Sequence, residues 1–152
     1  MPHNDLLRSL RYTLNLNDDG VVAVFTLAGK RADREFVASI LAREEEEGYI
    51  ECGDIVASAF LDGLIIKKRG PRDGPPEPSP GRLTNNVILR KLKIAFTLHD
   101  DDLHAIFKLG EFPLSKPEIS ALFRREGHPN WRPLGDQAMR HFLRGLSLRE
   151  RR

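Results

Sequence analysis

Apolar residues recur at helical spacing through the first seventy positions. Leu6, Leu7, Leu10 and Leu14 fall on one face of a helix predicted over residues 5–15. Asp18 and Asp19 read as the cap of a second helix, which ends near Ala28-Gly29, a usual helix stop. A third is expected from Asp33, and a fourth from Asp54, carrying Phe60-Leu61-x-Gly63-Leu64. One stretch is ambiguous by itself. Val21-Val22-Ala23-Val24-Phe25 is rich in β-branched residues and taken alone looks like a strand.

The pattern returns in the second half of the chain. Residues 4–68 align without a gap on residues 86–150, with 18 identities in 65 positions. Ordinary composition gives roughly four by chance. The strongest block pairs Phe60-Leu61-x-Gly63-Leu64 with Phe142-Leu143-x-Gly145-Leu146. The repeat resolves the ambiguous stretch. Its partner has apolar residues at 103, 106, 107 and 110, which is helical spacing, so both copies are predicted helical. In the second copy the third helix is expected from Ser115, where Ser115-x-x-Glu118 forms a capping box with Pro117 in the first turn. Gly63 and Gly145, placed inside helices, point to close helix crossings that leave no room for a side chain.

The expected fold is therefore all-α: two tandem four-helix repeats packed as a pseudo-twofold pair. Residues 1–69 form the first repeat and 85–152 the second. Between them, residues 70–84 read as a Pro/Gly-rich linker, because residues 69–81 hold five of the ten prolines. That linker is expected to be mobile and dispensable for folding, with first cleavage at Arg72 or Arg82. A unit of this size buries only about 60% of its unfolded surface, which favours packing of the two repeats on each other.

Composition adds less. With 40% hydrophobic and 30% charged residues, the 152-residue chain is expected to be folded, with no membrane span. Asp5, Arg8 and Arg11 interrupt the start of the chain, so no secretory signal is expected. A single cysteine, Cys52, makes no internal disulfide, and a cytoplasmic location is expected. The net charge of +2 hides an imbalance. Residues 1–70 carry 9 Lys and Arg against 12 Asp and Glu, whereas residues 86–152 carry 13 against 8. That favours an anionic partner for the second half, or two halves of a self-complementary pair.

The repeated blocks resemble a known family. Asn4-Asp5-x-Leu7-Arg8, Asp54-Ile55-Val56 and Phe60-Leu61-x-Gly63-Leu64-Ile65, with Asn86-x-Ile88-Leu89 and Gly135-Asp136-Gln137, are similar to the YehS-like bacterial proteins. These are classed as a domain of unknown function. The resemblance covers nearly the whole chain outside the linker. It implies a bacterial, cytoplasmic protein with two tandem copies, and no catalytic or binding residue to carry over.

Three function classes are weighed. For an enzyme, His99, Asp100 and His104 stand at spacing that metal sites use. The first copy has Asn17, Asp18 and Val22 there, so neither histidine is shared. Neither a phosphate loop nor a nucleophile elbow is present, and no metal, cofactor or catalytic residue is expected. For a nucleic-acid binder, residues 100–109, a turn at Gly110 and residues 115–125 have the order of a helix-turn-helix. Lys116, Arg124 and Arg125 would lie on its second helix, with Arg132, Arg140 and Arg144 nearby and Trp131 available to stack on a base. Positions 116 and 125, nine apart, face opposite sides of a straight helix. For a protein-interaction or adaptor module, the support is helices without a catalytic constellation and a repeat with opposed charge. That class is the expectation, with another protein as partner and nucleic acid as the alternative.

Among polar positions identical in both copies, Asn4, Asp18 and Asp54 are read as helix caps. Glu44–Glu47 are read as a solvated helix end. Arg8 and Arg90 are the least explained, an ion pair with Asp18 or Asp54 or an anion site being the options, and Asp54 and Asp136 are kept as candidates beside them.

Overall fold

The computed structural model describes residues 1–71 and 81–152. Residues 72–80 of the expected linker, Arg72 among them, lie outside the described residues. The described residues are helical with no strand, in the order α1 (His3–Thr13), α2 (Asp18–Leu27), α3 (Arg34–Leu41), α4 (Asp54–Arg69), α5 (Asn85–Ala95), α6 (Asp100–Leu109), α7 (Lys116–Leu122) and α8 (Asp136–Glu150). They divide into two compact units, Met1–Leu83 and Thr84–Arg152. Every helix of the second unit begins at the position that the sequence alignment pairs with the start of its counterpart, as Asn85 does with His3 and Asp136 with Asp54. Among the described residues no helix is long and apolar enough to cross a membrane.

In the first unit α2 packs on α4 and α3, and α1 on α3 and α4. The apolar stripe of α1 is spent there, since Leu6, Leu7 and Leu10 are fully buried. The ambiguous stretch is helix, with Val21, Val24 and Phe25 fully buried. Phe25 meets Phe60 edge-on with ring centroids 5.4 Å apart. In the second unit, where α6 packs on α8 and α7, the matching rings of Phe107 and Phe142 lie 5.0 Å apart.

Both repeated glycines sit at these crossings. A Cβ on Gly63 would overlap the carbonyl oxygen of Val24 and lie 2.9 Å from its carbonyl carbon. A Cβ on Gly145 would overlap the carbonyl oxygen of Ile106 and lie 3.0 Å from the Gly110 nitrogen.

The caps are displaced by one residue from the expected positions. Asn17, not Asp18, caps α2 and accepts from Gly20 N at 2.8 Å. Asp54 is the first residue of α4, behind Gly53. Asn4 is not a cap of its own helix, since α1 starts at His3 after Pro2, and its amide is buried. Asp33 and Ser115 do cap α3 and α7, the latter with the reciprocal Glu118 bond at 2.9 Å.

The turn after the first helix of each unit takes a left-handed residue. Asn15 has φ 52° and the equivalent Thr97 φ 53°. Asparagine tolerates that region, whereas a β-branched residue is strained in it. Thr97→Asn should therefore raise stability by about 0.5–1 kcal/mol, an order of magnitude taken from the cost of such conformations. Chemical denaturation of the two proteins measures the difference, and an unchanged midpoint would remove the argument.

Candidate functional site

The identical asparagines have one job, repeated. The Asn4 amide nitrogen donates to Ile40 O and Ile50 O, both at 2.8 Å, and its oxygen accepts from Cys52 N at 2.9 Å. Tyr49 OH adds a fourth bond at 3.2 Å. Asn86 donates to Leu122 O at 3.0 Å and Arg132 O at 2.9 Å, and accepts from Leu134 N at 2.9 Å. Leu122, Arg132 and Leu134 are the repeat equivalents of Ile40, Ile50 and Cys52. An asparagine side chain offers two donors and one acceptor group, which is what two carbonyls and one amide require.

These bonds stop the third helix. Continuing α3 would send Arg43 N to Ser39 O. Instead Ile50 N takes Ser39 O at 3.1 Å, and Arg43 N goes to Glu46 Oε1 at 3.0 Å. In the second unit Arg132 N takes Ala121 O at 3.1 Å. The chain then runs through two turns closed by matched bonds, Glu46 N to Arg43 O and His128 N to Arg125 O, both at 2.9 Å. The loops 42–51 and 124–133 are thus held at both ends by the same bonds.

What they display is opposite. The first loop carries Arg43 against Glu44, Glu45, Glu46, Glu47 and Glu51. The second carries Arg124, Arg125 and Arg132 against Glu126 alone. Six of the eight charges by which the two halves differ lie on this loop. Residues 43–47 and 124–128 are all exposed. Among the described residues Glu44, Glu45, Glu47, Arg124 and Arg125 form no ion pair or side-chain hydrogen bond.

The expected basic face is divided by this geometry. α7 has seven residues and ends at Leu122, so Arg124 and Arg125 leave the helix that a helix-turn-helix would need. The asparagine bond to Leu122 O is the physical reason. Lys116, on the first turn of α7, pairs with Asp101 at 2.9 Å, and that contact raises the lysine pKa and lowers the aspartate's. Arg144 reaches Glu111 at 3.4 Å, and Arg132 bonds Trp131 O at 3.0 Å. Arg140 is exposed on α8. Trp131 and its counterpart Tyr49 are half-buried at the loop base.

Arg8 and Arg90 are not equivalent. Arg8 pairs with Asp5 and donates to Ala42 O at 2.7 Å, helping to close the first loop, and touches neither Asp18 nor Asp54. Asp18 is taken by Arg11 at 3.0 Å. The second copy has Val87 where Asp5 stands, and Arg90 is exposed with no ion pair among the described residues. Asp54 accepts from His3 at 2.6 Å and from Leu83 N at 3.3 Å, which hold its carboxyl below the usual range, the His3 bond contributing most. In the second unit Asn85 takes the place of His3 and donates to Asp136 at 2.8 Å.

A groove of about 570 Å³ in the second unit is lined by Lys93, Leu98, His99, Asp100, Asp101 and Lys116. Lys93 pairs with Asp100 at 3.6 Å across it. The first unit makes the same two contacts with arginines, Arg11 to Asp18 at 3.0 Å and Arg34 to Asp19 at 3.1 Å. Ion pairs at both ends of this turn are a shared structural device. His99 belongs to the α6 cap, its main-chain N donating to Asp102 at 2.8 Å. Among the described residues no group of three His, Cys, Asp or Glu could hold a metal ion. Cys52 is buried, and burial pushes its thiol up to about 12, which keeps it protonated and unreactive.

Comparison with known proteins agrees with the duplication. The family model described as "Protein of unknown function (DUF1456)" matches twice, at residues 3–70 and 85–152. The chain is 46% identical over 151 residues to the uncharacterized protein YehS of Escherichia coli strain K12, covering 99% of this chain and 97% of that one. No solved structure matches.

Proposed function

We propose, for a chain that belongs to the DUF1456 family of proteins of unknown function, that it is a non-enzymatic protein-interaction module whose contact surface is the asparagine-held loop of each unit. One observation carries this reading. The asparagines identical in both copies are consumed inside the fold, while the loops they hold present charges that no described neighbour neutralises. Fixing a loop before contact removes the ordering cost that a flexible one incurs on binding. Charge on an exposed rim steers and selects partners more than it adds affinity.

The test uses the intact chain as bait in bacterial lysate, with and without nuclease. Capture should survive nuclease and fall at least tenfold, about 1.4 kcal/mol, when Arg124 and Arg125 or Glu44 and Glu45 are reversed in charge. Capture indifferent to both loops would overturn the reading. The second reading, nucleic-acid binding by the basic unit, is favoured by Arg124, Arg125 and Arg132 sharing one loop. It predicts nuclease-sensitive capture and binding that weakens steeply with salt.

A further inference from the structure

We infer that the two loops are each other's partners between molecules: the acidic loop of one copy docks on the basic loop of a second copy. This deepens the interaction reading above and rests on it. Main-chain bonds from Ile50, Tyr49 and Glu46 recur as bonds from Arg132, Trp131 and His128, so both loops are closed by the same bonds, although the left-handed residue is Gly48 in the first and Gly127 in the second. At matched positions Ala42 is exchanged for Arg124, Glu46 for His128 and Ile50 for Arg132. Two loops held by the same bonds and opposite in sign, on one chain, supply an acidic and a basic face in every copy. Such a contact is heterologous, joining different patches of the two molecules.

Magnitudes set its character. Exposed ion pairs contribute about 0–1 kcal/mol each, so three or four of them give a weak association that salt disperses. At about 0.1 M salt charges are screened beyond about 10 Å, which confines the attraction to loops already in register. The arginines also offer planar forks that match carboxylates two bonds at a time, which lysines would not.

The experiment is sedimentation of the full-length chain across a concentration series at low and high salt, with two loop variants. One carries Glu44→Lys, Glu45→Lys and Glu47→Lys, leaving Glu46 to its Arg43 bond. The other carries Arg124→Glu, Arg125→Glu and Arg132→Glu. The wild type should grow in mass with concentration, and the association should weaken about tenfold or more between about 0.05 and 0.5 M salt. Each variant alone should stay monomeric, because its two loops then share one sign. Mixing the two variants should restore association. Circular dichroism spectra matching the wild type establish that both variants are folded. A wild type that is monomeric at every concentration and salt would overturn the inference, and so would variants that associate as the wild type does. Nuclease-resistant lysate capture by such a monomer would leave the interaction reading standing and remove only this partner.

Discussion

Gly63→Ala should destabilise the protein, the reverse of what the same change does in an ordinary helix. Inside an exposed helix, alanine is about 1 kcal/mol better than glycine. Here the added methyl lands on the Val24 carbonyl oxygen, main chain that belongs to α2 and cannot rotate aside. α2 and α4 must separate, and the contact between Phe25 and Phe60 opens with them. Overpacking of this kind costs about 1–3 kcal/mol beyond the lost propensity gain, and Gly63→Val costs more. For units of this size each kcal/mol lowers Tm by about 4–8 °C, so a fall of about 4–24 °C is expected from the alanine alone. Gly145→Ala should do the same through Ile106. Thermal unfolding by circular dichroism measures both, and a raised or unchanged Tm would show that the helices do not cross there.

Asn86→Ala is the second large effect. It removes three bonds and leaves Leu122 O, Arg132 O and Leu134 N without partners at a site largely closed to water. Each stranded group costs about 1–3 kcal/mol, so a loss of about 3 kcal/mol or more is expected. The loss also has a location. Freed at its base, the loop should become the favoured tryptic site, at Arg124 and Arg125. Asn4→Ala should act likewise at Arg43. Equal proteolysis of wild type and variant would mean the loop was never held.

Helices were legible in the sequence because the duplication gave every ambiguous stretch a second, clearer copy. Val21–Phe25 was settled by the spacing of Leu103, Ile106 and Phe107, and the glycine crossings by their recurrence in both blocks. Cap identity was less legible. Asn17 and Asp18 are adjacent residues that both favour cap positions, and only main-chain geometry separates them. Asn4 looked like a cap because asparagine usually is one near a helix start. Its bonds reach residues 36 to 48 positions away, which no local pattern encodes. The seven-residue α7 was missed for the same reason, since its stop is supplied by Asn86 and not by a residue at its own end. Identical residues directed attention to Arg8 and Arg90, whose surroundings differ. The informative signal lay in the non-identical positions, where Glu45, Glu46 and Glu47 match Gly127, His128 and Pro129, and Ala42 and Ile50 match Arg124 and Arg132. Comparing charge at matched repeat positions would have found it.

Amide hydrogen exchange on the intact chain tests most directly whether one duplicated unit holds two loops in the same way. Ile50, Cys52, Arg132 and Leu134 lie outside the helices, yet their amides donate to Ser39 O, Asn4 Oδ1, Ala121 O and Asn86 Oδ1. All four should be protected nearly as well as helical amides, in two repeat-matched pairs, Ile50 with Arg132 and Cys52 with Leu134, while Glu44 and Glu45 exchange at rates close to those of a free chain. Four unprotected amides, or protection in one loop without its counterpart, would contradict the account.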